Sequence, residues 1–127
     1  MHFIVDGMNV IGTRPDGWWR DRAAARRRLV DQLAVLEASV GRITVVFDGR
    51  AGAGELDRAG LAGVGIAFAP GGPNAADDAI VEMVSDLDGS EDTTVVTSDR
   101  GLIERLRAFE LKVESAKAFR SRLDATA

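Results

Sequence analysis

The sequence has no cysteine among its 127 residues. That excludes disulfides, thiolate zinc sites, iron–sulfur clusters and a cysteine nucleophile, and it fits a reducing cytoplasm, the expected location. The one histidine, His2, stands at the start of an apolar run, which leaves no histidine for acid–base chemistry. No apolar run approaches the roughly 20 residues that span a bilayer. The opening Met1-His2-Phe3-Ile4-Val5-Asp6 lacks a basic stretch followed by a long apolar one, so neither a membrane partner nor a signal peptide is expected. There is no P-loop lysine, and Gly52 and Gly54 do not follow a strand as a dinucleotide fingerprint requires. Positive charge is also short. The formal net charge is −4, which alone argues mildly against nucleic acid. A group of metal-binding carboxylates would give the same balance while a separate basic patch still held phosphate.

What is present is an alternation of short apolar runs with helical patterns. Runs at 2–6, 43–48, 64–69, 93–97 and 111–115 read as strands. Residues 20–40 read as a helix, with Ala25, Leu29, Leu33, Leu36 and Val40 at three- and four-residue steps. Asn74 reads as the N-cap of a helix reaching about Asp88, after the turn Pro70-Gly71-Gly72-Pro73. Further helices are expected at 100–109 and 117–124, with a short one near Leu56–Leu61 in a glycine-rich stretch, a loop at the site entrance. Such alternation implies a parallel sheet covered on both faces, here a single α/β domain over 1–127 with about five strands in a three-layer sandwich.

Aspartates recur where these strands end. Asp6 closes the first, Asp48 the second, and the fourth runs into Asp99. Asp77 lies in the first turn of the helix after the third strand. In an open parallel sheet all carboxyl ends share one edge, where ligands bind. Clustered carboxylates repel one another unless a cation intervenes, and oxygen-only ligation suits Mg²⁺ or Mn²⁺. With Asn9 added, the set suits metal-assisted phosphodiester hydrolysis. Each residue also has a plain structural role open to it. Asp-Gly at 6–7 and 48–49 serves turns. Asp99 or Ser98 can cap a helix, and Asn74 with Asp77 can form a capping-box variant. Spacing alone does not separate a nuclease from another Mg²⁺-dependent phosphoryl enzyme.

The motifs narrow the choice. Val5-Asp6-Gly7-Met8-Asn9-Val10-Ile11-Gly12 resembles the opening motif of the NYN branch of PIN-like ribonucleases, and within it of the bacterial YacP-like proteins. Phe47-Asp48-Gly49, Ala76-Asp77-Asp78-Ala79-Ile80 and Val95-Val96-Thr97-Ser98-Asp99-Arg100 are similar to the later motifs, in the same order. Met8 departs from the aromatic common at its position, and Ala75 from the usual hydroxyl residue. The resemblance implies a PIN-like fold and metal-dependent endonucleolytic cleavage of RNA, single-stranded by expectation. It places metal-site roles on Asp6, Asp48, Asp77 and Asp99, the expected catalytic residues, with Asn9 as a supporting polar residue; Asn9 and Ser98 are expected to contact substrate. It implies RNA as partner, free or on the ribosome, and leaves a homodimer open.

Trp18 and Trp19 precede a basic cluster, Arg20, Arg22, Arg26, Arg27 and Arg28. One reading is a strip for single-stranded RNA, with Trp18, Arg20, Arg22 and Arg26 as substrate contacts by stacking and phosphate pairing. The other is a solvated helix face with two core tryptophans. Lys112, Lys117, Arg120 and Arg122 read as solvated surface or contacts to the body of an RNA. A haloacid-dehalogenase-like phosphatase fails at Met8, where a second Asp is needed. A receiver-like domain lacks the acidic pair at the first strand end. An idle RNA- or ribosome-binding module and a PIN-type toxin remain as alternatives on the same fold.

Overall fold

A computed structural model describes residues 1–50, 64–72, 74–87 and 92–126. The expected short helix near 56–61 and the site-entrance loop lie outside the described residues. Five strands, β1 (His2–Asp6), β2 (Arg42–Asp48), β3 (Gly65–Ala69), β4 (Thr93–Val96) and β5 (Lys112–Glu114), form one sheet in the order β3-β2-β1-β4-β5. Every pairing is parallel. The helices are α1 (Gly7–Ile11), α2 (Arg22–Val40), α3 (Ala75–Asp86), α4 (Arg100–Leu106) and α5 (Ala116–Thr126), with a 3₁₀ turn at Trp18–Arg20. None of the described helices is long and apolar enough to cross a membrane.

The strand residues alternate between two cores. Phe3, Val5, Ile43, Val45 and Phe47 face a layer built by α1, α2 and α5, with Leu29, Leu33, Leu36, Phe119 and Leu123. Ile4, Val46 and Val95 face α3 and α4, through Ile80, Val84, Leu102 and Leu106. Burial on both faces explains why the central strands carry apolar side chains at nearly every position. Each fully buried large side chain contributes roughly 1.5–3 kcal/mol.

Two features shape the carboxyl edge. The first is α1, a five-residue helix for which the sequence reading, a strand at 2–6 and a possible turn at Asp6-Gly7, has no counterpart. It starts directly at the end of β1, and Gly7 lies against Phe47. A β-carbon there would stand 2.4 Å from the ring. The glycine after Asp6 therefore serves close packing, whereas Gly49 after Asp48 has a left-handed φ of 91° and makes a true turn. The second is the strand order itself. From β1 the chain builds outward through β2 and β3, then returns to place β4 on the other side of β1. The crevice between the ends of β1 and β4 is the topological switch point, where open α/β sheets bind ligands.

Candidate metal centre and its surroundings

Asp6, Asp48, Asp77 and Asp99 come from four different elements and line one open pocket of about 240 Å³, together with Met8, Asn9 and Asn74. Asp6 ends β1 and is 6% exposed. Its Oδ2 accepts a hydrogen bond from the Thr97 hydroxyl at 3.0 Å. Burial, and after it the carboxylates of Asp77, Asp48 and Asp99, push its pKa up to about 6 against the pull of that hydrogen bond. Asp77 is raised as well, by burial first, then by Asp99 and Asp48.

Helix caps hold the others in place. Asp48 Oδ1 accepts from the Ala76 N–H at 3.2 Å, so a strand-end carboxylate caps α3. Asn74 stands at the N-cap position but makes no side-chain cap bond. Its φ is 69°, and its carbonyl accepts from Asp78 N–H instead. Asp99 caps α4, Oδ1 accepting from Gly101 at 2.8 Å and Leu102 at 3.2 Å. Capping and site geometry thus share one side chain, because only one of the two carboxylate oxygens is used. Asp78 points away and pairs with Arg105 at 2.8 Å.

Asn9 lines the pocket, and its Oδ1 accepts from the Ser98 N–H at 2.7 Å, tying α1 to the loop after β4. The Ser98 hydroxyl is not among the groups lining the pocket. It accepts from Ala116 N–H and caps α5. Thr97, not singled out in the sequence, is fully buried and central. Its hydroxyl donates to Asp6 and accepts from the Asp99 N–H at 3.1 Å, so one side chain sets two of the four aspartates. A hydroxyl residue at the end of an apolar strand, two before an aspartate, was the available signal. His2 lies at the opposite edge, buried against Thr44.

The basic and aromatic residues stand beside this pocket without lining it. Trp18 packs partly on the core with Arg22 5.4 Å above its ring, while Trp19 is 52% exposed. Arg20 is exposed at the end of the 3₁₀ turn. Arg26 sits 5.6 Å over Phe68, whose register partner Phe47 precedes Asp48. α2 runs into the start of β2, so these N-terminal residues lie at the same sheet edge as the carboxylates. Of the second basic group, Arg122 pairs with Glu114, and Arg120 is half-buried rather than solvated.

The donor set is all oxygen; burial first, and then the neighbouring carboxylates, raise Asp6 and Asp77, with Arg105 drawing Asp77 back. Among the described residues no three carboxylate or histidine groups stand close enough together to hold a metal ion between them as they are placed. An open ring of carboxylates fits an ion that keeps several of its waters, as Mg²⁺ does, rather than one that needs a full protein cage.

The sequence profile of the YacP-like NYN domain matches residues 3–127. Among solved structures, that of Rae1 (YacP) from Bacillus subtilis superposes with a TM-score of 0.81 at 22% identity, covering 99% of this chain and 75% of that one. Its W164L mutant gives a TM-score of 0.77 at 22% identity, over 98% and 76%. Among curated proteins there is no match.

Proposed function

The chain belongs to the YacP-like NYN domain family, and from that premise we propose that it is a Mg²⁺- or Mn²⁺-dependent endoribonuclease acting on single-stranded RNA. The observation that carries this reading is the convergence of Asp6, Asp48, Asp77 and Asp99 from four elements on one pocket at the switch point. Bound there, the ion supplies charge neutralisation at the phosphodiester and a water of lowered pKa. The chain's own residues do the rest. Thr97 fixes the Asp6 carboxylate, and the α3 and α4 N-termini fix Asp48 and Asp99, each leaving one oxygen for the pocket. Asn9, held through its Oδ1, keeps its amide N–H₂ for a substrate oxygen.

The choice of single-stranded substrate is supported by exposed Trp19 beside Arg20 and Arg22, since bases can stack on an aromatic only when unpaired from a duplex. The test is incubation with single-stranded RNA, duplex RNA and DNA in Mn²⁺, Mg²⁺ or EDTA. Cleavage of single-stranded RNA with either ion, and none in EDTA, is expected. Cleavage undiminished by the chelator would sink the mechanism. Binding of RNA with no cleavage in any ion would leave an RNA-binding module on this fold.

A further inference from the structure

A second cavity, of about 250 Å³, opens where α1, α2 and α5 meet. Its walls carry three guanidinium groups, Arg14, Arg28 and Arg120, with the indole of Trp18 and the carboxylates Asp16 and Asp31. α1 serves both cavities, giving Met8 and Asn9 to the carboxylate pocket and Ile11 to this one. We propose that this cavity is a nucleotide subsite, binding the phosphate and base of one nucleotide.

Each part of the wall has a matching part of that ligand. Arg120 is a braced donor. Its Nη1 donates to Gln32 Oε1 at 2.9 Å, its Nη2 to the Val10 carbonyl at 3.3 Å, and its Nε to Thr13 Oγ1 at 3.3 Å. A guanidinium has more N–H groups than these three bonds use, and the fork so fixed suits a phosphate oxygen. Arg28 is exposed, and among the described residues it makes no hydrogen bond or ion pair. Arg14 is tied to Asp124. Burial, and then the neighbouring Arg14, lower the pKa of Arg120, while Asp124 and Asp16 raise it. A bound phosphate adds negative charge beside a guanidinium whose charged form burial disfavours. Trp18 offers a surface for a base, and Asp16 and Asp31 suit ribose hydroxyls and exocyclic amines. The volume is just below the usual range of small-molecule sites, roughly 300 Å³ upward, which fits about one nucleotide.

The nucleotide has two sources: a free mononucleotide, or the strand being cut, flanking the scissile bond. The second source rests on the nuclease reading above, and the first does not. The only tryptophans are Trp18 and Trp19, and there is no tyrosine, so intrinsic fluorescence reports on this region. Adenosine 5′-monophosphate should be titrated in EDTA against wild type and Arg28→Gln, with adenosine as the phosphate-free control. A saturable change is expected, about tenfold weaker for Arg28→Gln and for adenosine, as loss of a charge-assisted contact implies. Arg28 is exposed, so equal melting temperatures will show that the variant is folded. A short unstructured oligoribonucleotide forms the second arm. Displacement by the mononucleotide and weakening by Arg28→Gln assign the cavity to the strand. Mononucleotide binding without either effect assigns it to a free nucleotide. If neither ligand's binding depends on Arg28, the subsite is wrong, whatever the cleavage assay gives. If Arg28-dependent binding holds and no metal-dependent cleavage is seen, the nuclease reading alone falls.

Discussion

At the scale of single residues, neighbouring aspartates on α3 have opposite surroundings. Asp77 faces the carboxylate pocket and feels Asp99 and Asp48, whereas Asp78 reaches outward to Arg105. Asp77→Asn should therefore lose most cleavage, on the order of a hundredfold, comparable to removing one charge-stabilising group from an active site. It should stay folded and can melt higher without metal, because a repulsive charge is gone. Asp78→Asn removes an exposed ion pair worth roughly 0.2–1 kcal/mol and should keep substantial activity. Metal-dependent cleavage and melting temperature, measured on both variants, decide between them. An inactive Asp78→Asn beside an active Asp77→Asn would move the site to Asp78. The arginines give a second contrast. Changing Arg22 and Arg26 to Ala should weaken RNA binding and flatten its salt dependence by about one to two counterions, with metal binding unchanged. A salt slope equal to wild type would return these arginines to a solvated helix face resting on Trp18 and Phe68.

At the scale of elements, α1 is where backbone packing sets site geometry. Gly7→Ala places a β-carbon 2.4 Å from the Phe47 ring, so α1 or the ring must move. A loss of about 1–3 kcal/mol is expected for such overpacking, read as a lower denaturant midpoint. Displacing α1 also shifts Asn9 from Ser98, so cleavage should fall further than stability alone explains. Unchanged stability in Gly7→Ala would mean that α1 can shift from Phe47 at no cost, so that their close approach does not set the site. This helix also marks the limit of what sequence reveals. The strands were legible because burial on both faces demands apolar runs, and Asp6, Asp48 and Asp99 were legible because parallel strands put their ends on one edge. The phase of α3 is carried by Ala76, Ile80 and Val84 at helical spacing, which are buried on its sheet-facing side. Three things depend on contacts between distant segments, which a linear pattern does not carry. The need for glycine at position 7 comes from Phe47, a residue in β2. Asn74 reads as a side-chain cap, yet Asp48 from β2 supplies that bond. Thr97 matters through Asp6, which lies 91 residues away. The basic cluster likewise looks continuous in the chain, but folding sends Arg26 to Phe68 and Arg28 to the second cavity.

At the scale of the whole molecule, the carboxylate pocket sets how stability responds to pH and to metal. The unfolded chain releases the Asp6 proton near 3.8, the folded protein near 6. Between those values the folded state binds more protons than the unfolded one, so stability falls as pH rises. Below 3.8 both states are protonated and Asp6 contributes no difference; above 6 its full cost is present, about 3 kcal/mol. Asp77 is raised too and acts in the same direction. In EDTA the wild type should therefore lose melting temperature relative to Asp6→Asn between pH 4 and pH 6.5, by about 10 °C for a chain of this size. Asparagine retains an oxygen to accept from Thr97, so the variant removes charge without orphaning that hydroxyl. The difference between the two proteins is the quantity to follow, because it isolates the Asp6 carboxyl. Mg²⁺ or Mn²⁺ should recover the lost stability at pH 7, about 2.7 kcal/mol at a hundred times the dissociation constant, because the ion binds only the folded ring of carboxylates. The same ion should stabilise Asp6→Asn less. Thermal melts of both proteins across this pH range, in chelator and in metal, provide the check. A pH-independent difference in EDTA would show that Asp6 does not carry the strain of the pocket. Equal stabilisation of both proteins by metal would show that the ion binds elsewhere.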